Sequence, residues 1–194
     1  MSNNSLAEEL FQQLQGAPLQ QVSQQLGTGQ MQTASAISAA LPLLLGALGK
    51  NTAEPQGAEA LFGALQKDHA GLDLAPSRQT DGGAILGHIF GGAQPRAEAS
   101  LGQATGLGGD KAAMLMKILA PIVLSFLAQR FMGQGNTNPN GLSQILGQER
   151  QVAQEQGGLG GGLLGAVLDQ DGDGQMGLGD ILKIGMGMLG GDKR

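Results

Sequence analysis

Cysteine is absent from the 194-residue sequence, which excludes a disulfide scaffold, a thiolate zinc site, an iron–sulfur cluster and a thiol nucleophile. Tryptophan and tyrosine are absent as well, and 5 phenylalanines are the only aromatics apart from histidine. The core must therefore be filled by Leu, Ala, Ile and Met, which are helix formers. Charge is sparse: 14% of residues carry it, 11 basic against 16 acidic, for a net −5. That is too little basic charge for a polybasic nucleic-acid or heparin binder, and too little charge overall for charge-driven disorder. There is no Gly-X-Y period among the 35 glycines, which excludes collagen. Convincing runs of alternating β-branched residues are missing too, so the sequence predicts an all-α fold.

What is present, 41% hydrophobic residues over this length, suffices for one domain with a real core, or one domain and a small appendage. The opening M-S-N-N-S-L-A-E-E-L has neither the basic start nor the apolar stretch of a secretory signal, so the expected compartment is the cytoplasm, with non-classical export as the other route. Residues 112–128, A-A-M-L-M-K-I-L-A-P-I-V-L-S-F-L-A, form the longest apolar stretch. Eight Leu, Ile, Val and Phe at roughly −0.5 kcal/mol each nearly cancel against Lys117 at about +3 kcal/mol, before Pro121 and Ser125 are counted. The balance favours a buried central helix over a membrane span.

Helix signals punctuate the first two-thirds of the chain. Ser5 and Glu8 form a capping box ahead of Leu6, Leu10, Phe11 and Leu14. Pro18 suits the first turn of a helix carrying Leu19, Val22 and Leu26 and stopping at Gly27. A longer helix runs through Met31, Ala34, Ile37, Leu41, Leu44, Leu45 and Leu48 to near Gly49, and Pro55 starts another with Ala58, Leu61, Phe62 and Leu65 on one face. Matching Pro42 with Pro121 lays one unit over another: a short helix, a glycine turn, then a long apolar helix interrupted by proline. Two matched interruptions, each costing about 3 kcal/mol in isolation, predict a shared kink in two helices at the centre of a bundle. The glycine-rich phrases at 82–92 and 160–168 predict close helix contact. The expected organisation is a helical bundle over 1–132, a Gly/Gln/Asn-rich linker with a weak polar helix over 133–160, and a tail over 161–194.

The tail holds the one pattern with metal chemistry in it. Residues 169–180 read D-Q-D-G-D-G-Q-M-G-L-G-D, placing carboxylates at loop positions 1, 3, 5 and 12 as Asp169, Asp171, Asp173 and Asp180. Gly174 takes the sharp turn at position 6, Gln175 offers its backbone carbonyl at 7, and Met176 at 8 packs inward. This is the EF-hand calcium spacing, in which a winding loop aims alternate oxygens at one hard cation. Two carboxylates about 4 Å apart repel by roughly 1 kcal/mol in water and 4 at an effective dielectric of 20, so four converging without a cation would strain the loop open. Aspartate at position 12 is one methylene shorter than the usual glutamate, and the loop has no paired copy. Weak Ca²⁺ binding is expected, with Kd on the order of 10⁻⁵ to 10⁻³ M. A resting cytosol would leave such a site empty, so a filled loop points outside the cytoplasm or to Mg²⁺.

Three phrases, A-L-P-L-L-L-G-A-L at 40–48, G-G-A-I-L-G-H-I-F-G-G at 82–92 and G-G-L-L-G-A-V-L-D-Q-D-G-D-G at 161–174, together resemble the bacterial domain-of-unknown-function family 937, the YidB-like proteins. The resemblance implies an all-helical fold and no established activity. The loop is also similar to half of a dockerin motif, which likewise ends in Asp.

Other chemistries find little support. Residues 21–37 have a helix-turn-helix rhythm but no lysine or arginine to neutralise phosphates, so nucleic acid is not an expected partner. His69 and His88, the only histidines, lack a second ligand at metal-site spacing. There is no G-x-S-x-G elbow, phosphate loop or H-E-x-x-H, so the sequence points away from an enzyme. Two functions follow as expectations: an interaction or structural module with a calcium loop, or a self-assembling or membrane-surface element whose Gly-faced apolar helices, such as 178–190, pair with a second copy, a protein partner or lipid.

Overall fold

The computed structural model describes residues 5–68, 82–133 and 138–155. All of its regular elements are helical: α1 (Leu6–Leu14), α2 (Ala17–Leu26), α3 (Gln30–Asn51), α4 (Pro55–Asp68), α5 (Gly82–Phe90), α6 (Gln94–Thr105), α7 (Gly109–Gly133) and α8 (Pro139–Glu155), with a 3-10 turn at Gly91–Ala93. The all-α bundle expected from composition is the fold that forms.

Ser5 caps α1 by accepting from the Glu8 amide at 3.2 Å, and Leu6, Leu10 and Leu14 recur on the buried face. Pro18 opens α2 and Gly27 closes it in the left-handed conformation, φ 60°. The long helices α3 and α7 are the centre. From Ala36 to Leu48 almost every residue of α3 except Ser38 and Pro42 is buried, and 112–128 lies within α7, whose Leu115, Met116, Leu119, Val123 and Leu127 are sealed from solvent. A helix apolar on all sides has to be surrounded, and the shorter helices surround these two. Met31 departs from the expected apolar face. In the first turn of α3 it points outward, 89% exposed.

The repeat seen around the two prolines extends through the whole bundle. The interval that separates Pro42 from Pro121 also separates the α2 cap Gly27 from the α6 cap Gly106, and the start of α3 from the start of α7. Both caps are left-handed, which suits glycine. Contacts across the pair are reciprocal: Gln32 Nε2 donates to the Gly106 carbonyl, and its counterpart Lys111 Nζ donates to the Gly27 carbonyl, each at 3.3 Å. The fourth helices correspond as well. P-Q-G-A-E-A-L-F-G opens α4 and P-N-G-L-S-Q-I-L-G opens α8, with proline at the first helical position of both. The described residues thus form two four-helix units, α1–α4 and α5–α8, whose reciprocal contacts relate them by an approximate two-fold.

The prolines have a packing role in this scheme. Proline lacks an N–H, so the carbonyl four residues earlier, Ser38 or Lys117, has no helical donor. Gly82, at the start of α5, lies so close against the Lys117 carbonyl that a Cβ there would overlap it. Ser38 lines a cavity with Ser5 and Ala7 at the start of α1. Each proline therefore leaves an acceptor next to the first helix of its own unit. The close contact expected of the glycine-rich phrase holds for Gly82 but not for Gly87, Gly91 or Gly92, which have nothing within 4 Å of where a Cβ would stand.

The polar helix expected within 133–160 is present in the structure. Over Pro139–Glu155 it is a helix running along α3, with Leu142 and Leu146 fully buried. Asn138 caps it by accepting from the Asn140 amide at 3.0 Å, and Pro139 follows at the first position. N-P-N-G reads as a loop by composition, but Asn followed by Pro is equally the chemistry of a helix start.

Candidate functional site

The loop residues singled out by sequence, Asp169, Asp171, Asp173, Gln175 and Asp180, lie outside the described residues, as do His69, residues 160–168 and the apolar segment 178–190. Among the described residues no three His, Asp or Glu side chains come together to hold a metal ion. Residues 21–37 form α2, the Gly27 turn and the first part of α3, where Thr33, Ala36 and Ile37 are core. By length and hydropathy α3 and α7 each suffice to cross a membrane, and 67% of each such window is buried inside the protein.

Two sites with chemical character emerge instead, at equivalent seams of the two units. The first is tied together by a buried carboxylate beside a cavity of about 430 Å³. Glu149 of α8, 6% exposed, reaches the start of α1, where its two carboxylate oxygens accept from the Leu6 and Ala7 amides at 2.9 and 3.0 Å. Those amides are among the N–H groups that a helix start leaves without internal partners, and the helix dipole favours a negative charge there. Beside it α8 lies against α3 with its backbone almost touching: a Cβ on Gly49 would stand 2.6 Å from the Leu146 carbonyl oxygen. An ion pair, Arg130 to Glu9 at 3.5 Å, ties α7 to the outer face of α1 and, being half exposed, contributes little.

The second seam holds a cavity too. Between α4 on one side and α5 and α7 on the other is a cleft of about 480 Å³. Its walls are Leu61, Ile85, Ile89 and Leu124, with Leu48 at the end of α3, and its rim carries Asn51, Glu54 and His88. The Asn51 amide donates to the His88 and Ile89 carbonyls at 3.0 and 2.7 Å, clipping the end of α3 to the last turn of α5. His88, one of the two histidines weighed from sequence, therefore sits at the edge of a cleft rather than in the core. Sequence reasoning had no local signal for Glu149, whose partners are far away in the chain, or for Asn51, which reads as a helix end.

No curated protein and no solved structure matches the chain. A family does: the one described as bacterial protein of unknown function (DUF937) matches residues 8–130, from the first turn of α1 almost to the end of α7, leaving α8 and the Asp-rich loop beyond the match. Since that covers well over half of the sequence, the chain belongs to the DUF937 family.

Proposed function

We propose that this protein is a non-enzymatic helical interaction module whose tail carries a single weak calcium loop, similar to an EF-hand and to half of a dockerin motif. The observation that carries the reading is the spacing Asp169, Asp171, Asp173, Gly174, Asp180, with Gln175 between. In an EF-hand this spacing is what brings four carboxylates and a backbone carbonyl to one point, and a hard divalent cation is what that donor set suits. Calcium titration of the intact protein by calorimetry tests it, with Asp169→Ala and Asp173→Ala as controls. Saturable heat with Kd between about 10⁻⁵ and 10⁻³ M, lost in both variants, is the expected result. No heat, or heat that survives both substitutions, would remove the calcium site.

A second reading, self-assembly or association with a membrane surface without a working metal site, is supported by the glycine-spaced apolar segment 178–190. Flotation with liposomes separates the two. Retention with lipid that ignores a chelator favours the second reading.

A further inference from the structure

We infer that this fold takes a second copy of its own chain as partner, bound by exchange of halves, so that α1–α4 of one copy completes α5–α8 of the other. The inference uses no residue of the tail and stands whether or not the calcium loop fills. It begins from where the fourth helices lie. The helix α8 runs along α3, and α4 packs on α7 and α8, so each fourth helix covers the long helix of the other unit rather than that of its own. On one side the backbone of α8 at Leu146 lies against Gly49 of α3. On the other, Leu61 of α4 shares a cleft with Ile85 and Ile89 of α5 and Leu124 of α7.

The polar contacts run the same way. Glu149 of the second unit caps α1 of the first, and Asn51 of the first unit holds the last turn of α5 in the second. Gln32 and Lys111 reach across reciprocally, and Arg130 pairs with Glu9. Each of these contacts joins one unit to the other. Like surfaces meeting about an approximate two-fold are the arrangement of a symmetric dimer, and here both halves belong to one chain.

Residues 69–81 connect the halves in sequence, and none of the contacts just named involves them. A second unit supplied by another copy would therefore make the same contacts and bury the same leucines as the one on the same chain. What distinguishes the two arrangements is the cost of bringing two chains together. A short tether presents its own partner at an effective concentration of about a millimolar, so the closed single chain prevails below that and the exchanged pair above it. The exchanged pair is also held kinetically, because it separates only when the core between the units comes apart.

The test is refolding of the full chain from urea at about 2 mM and at about 2 µM, on either side of that crossover, with light scattering after both are brought to the same micromolar concentration. Concentrated refolding is expected to leave about half or more of the protein at twice the chain mass, decaying after dilution only as fast as the protein unfolds. Dilute refolding gives single chains. A variant forces the same outcome: residues 69–81 are replaced by an alanine, glutamate and lysine segment that continues α4 into α5 as one helix. Leu61 and Ile85 would then stand about 36 Å apart along one axis, so a single chain could not bring them to one cleft. This variant is expected to be a folded dimer at micromolar concentration. Should it not fold, the refolding of the parent protein decides. Single chains only after concentrated refolding, a dimer that falls apart within seconds of dilution, or a folded monomer of the helical variant would each overturn the inference.

Discussion

Gly49 and Gly63 are both helical glycines, and what surrounds them makes them opposites. A Cβ on Gly49 meets the Leu146 carbonyl oxygen at 2.6 Å and its carbon at 3.2 Å, backbone atoms that can move only if α8 moves. Around Gly63 in α4 there is nothing within 4 Å. Gly49→Ala is therefore expected to destabilise the protein by about 1–3 kcal/mol, as overpacking does. Gly63→Ala is expected to stabilise it by roughly 0.5–1 kcal/mol through helix propensity alone. Urea denaturation of the pair checks both signs. A Gly49→Ala protein as stable as its parent would mean that α8 does not approach α3 as closely as described. The sequence alone does not distinguish the two positions: each glycine sits among leucines and alanines, and only the neighbouring helix separates them.

At the scale of elements, signals that act within one or two turns were legible. The Ser5 cap, the Gly27 stop, the start at Pro55 and the apolar face of α1 all follow from residues three or four apart. Legibility ended where a contact joins distant segments. The helix α8 was legible as a polar helix but its place in the bundle was not, because it is tied by Glu149 to the start of α1, a partner 143 residues away along the chain. The candidate site divided the same way. His88 drew notice as a rare residue, but the cleft it borders is made by four helices that the sequence gives no means of bringing together. The Asp-rich loop, the most legible motif of all, falls outside the described residues. Glu149→Ala tests the link between α8 and α1. It leaves two amides of a helix start without their acceptor in a buried setting, so a loss of about 2–3 kcal/mol is expected, together with faster hydrogen exchange at Leu6 and Ala7. Loss of stability without faster exchange at those two amides would place the effect of Glu149 elsewhere.

For the whole molecule, the duplication decides where the folding unit ends. The family match stops at residue 130, and the linker composition after it invites the same boundary. The two-fold places that boundary later. A second unit without α8 lacks its fourth helix, and α3 loses the neighbour that covers it beside α1. Leu142 and Leu146 are each fully buried, and truncating a buried leucine costs about 2–5 kcal/mol. Adding the Glu149 cap brings the loss to the size of a domain's entire stability, about 5–15 kcal/mol. A chain ending at Asn138 is therefore expected to melt broadly or to be largely unfolded at 25 °C, whereas one ending at Glu155 melts in a single cooperative step. Circular dichroism melts of the two chains, compared at equal concentration, measure this. Identical cooperative transitions would show that α8 is an appendage, and the account of Glu149 as the tie between α8 and α1 would fall with that result.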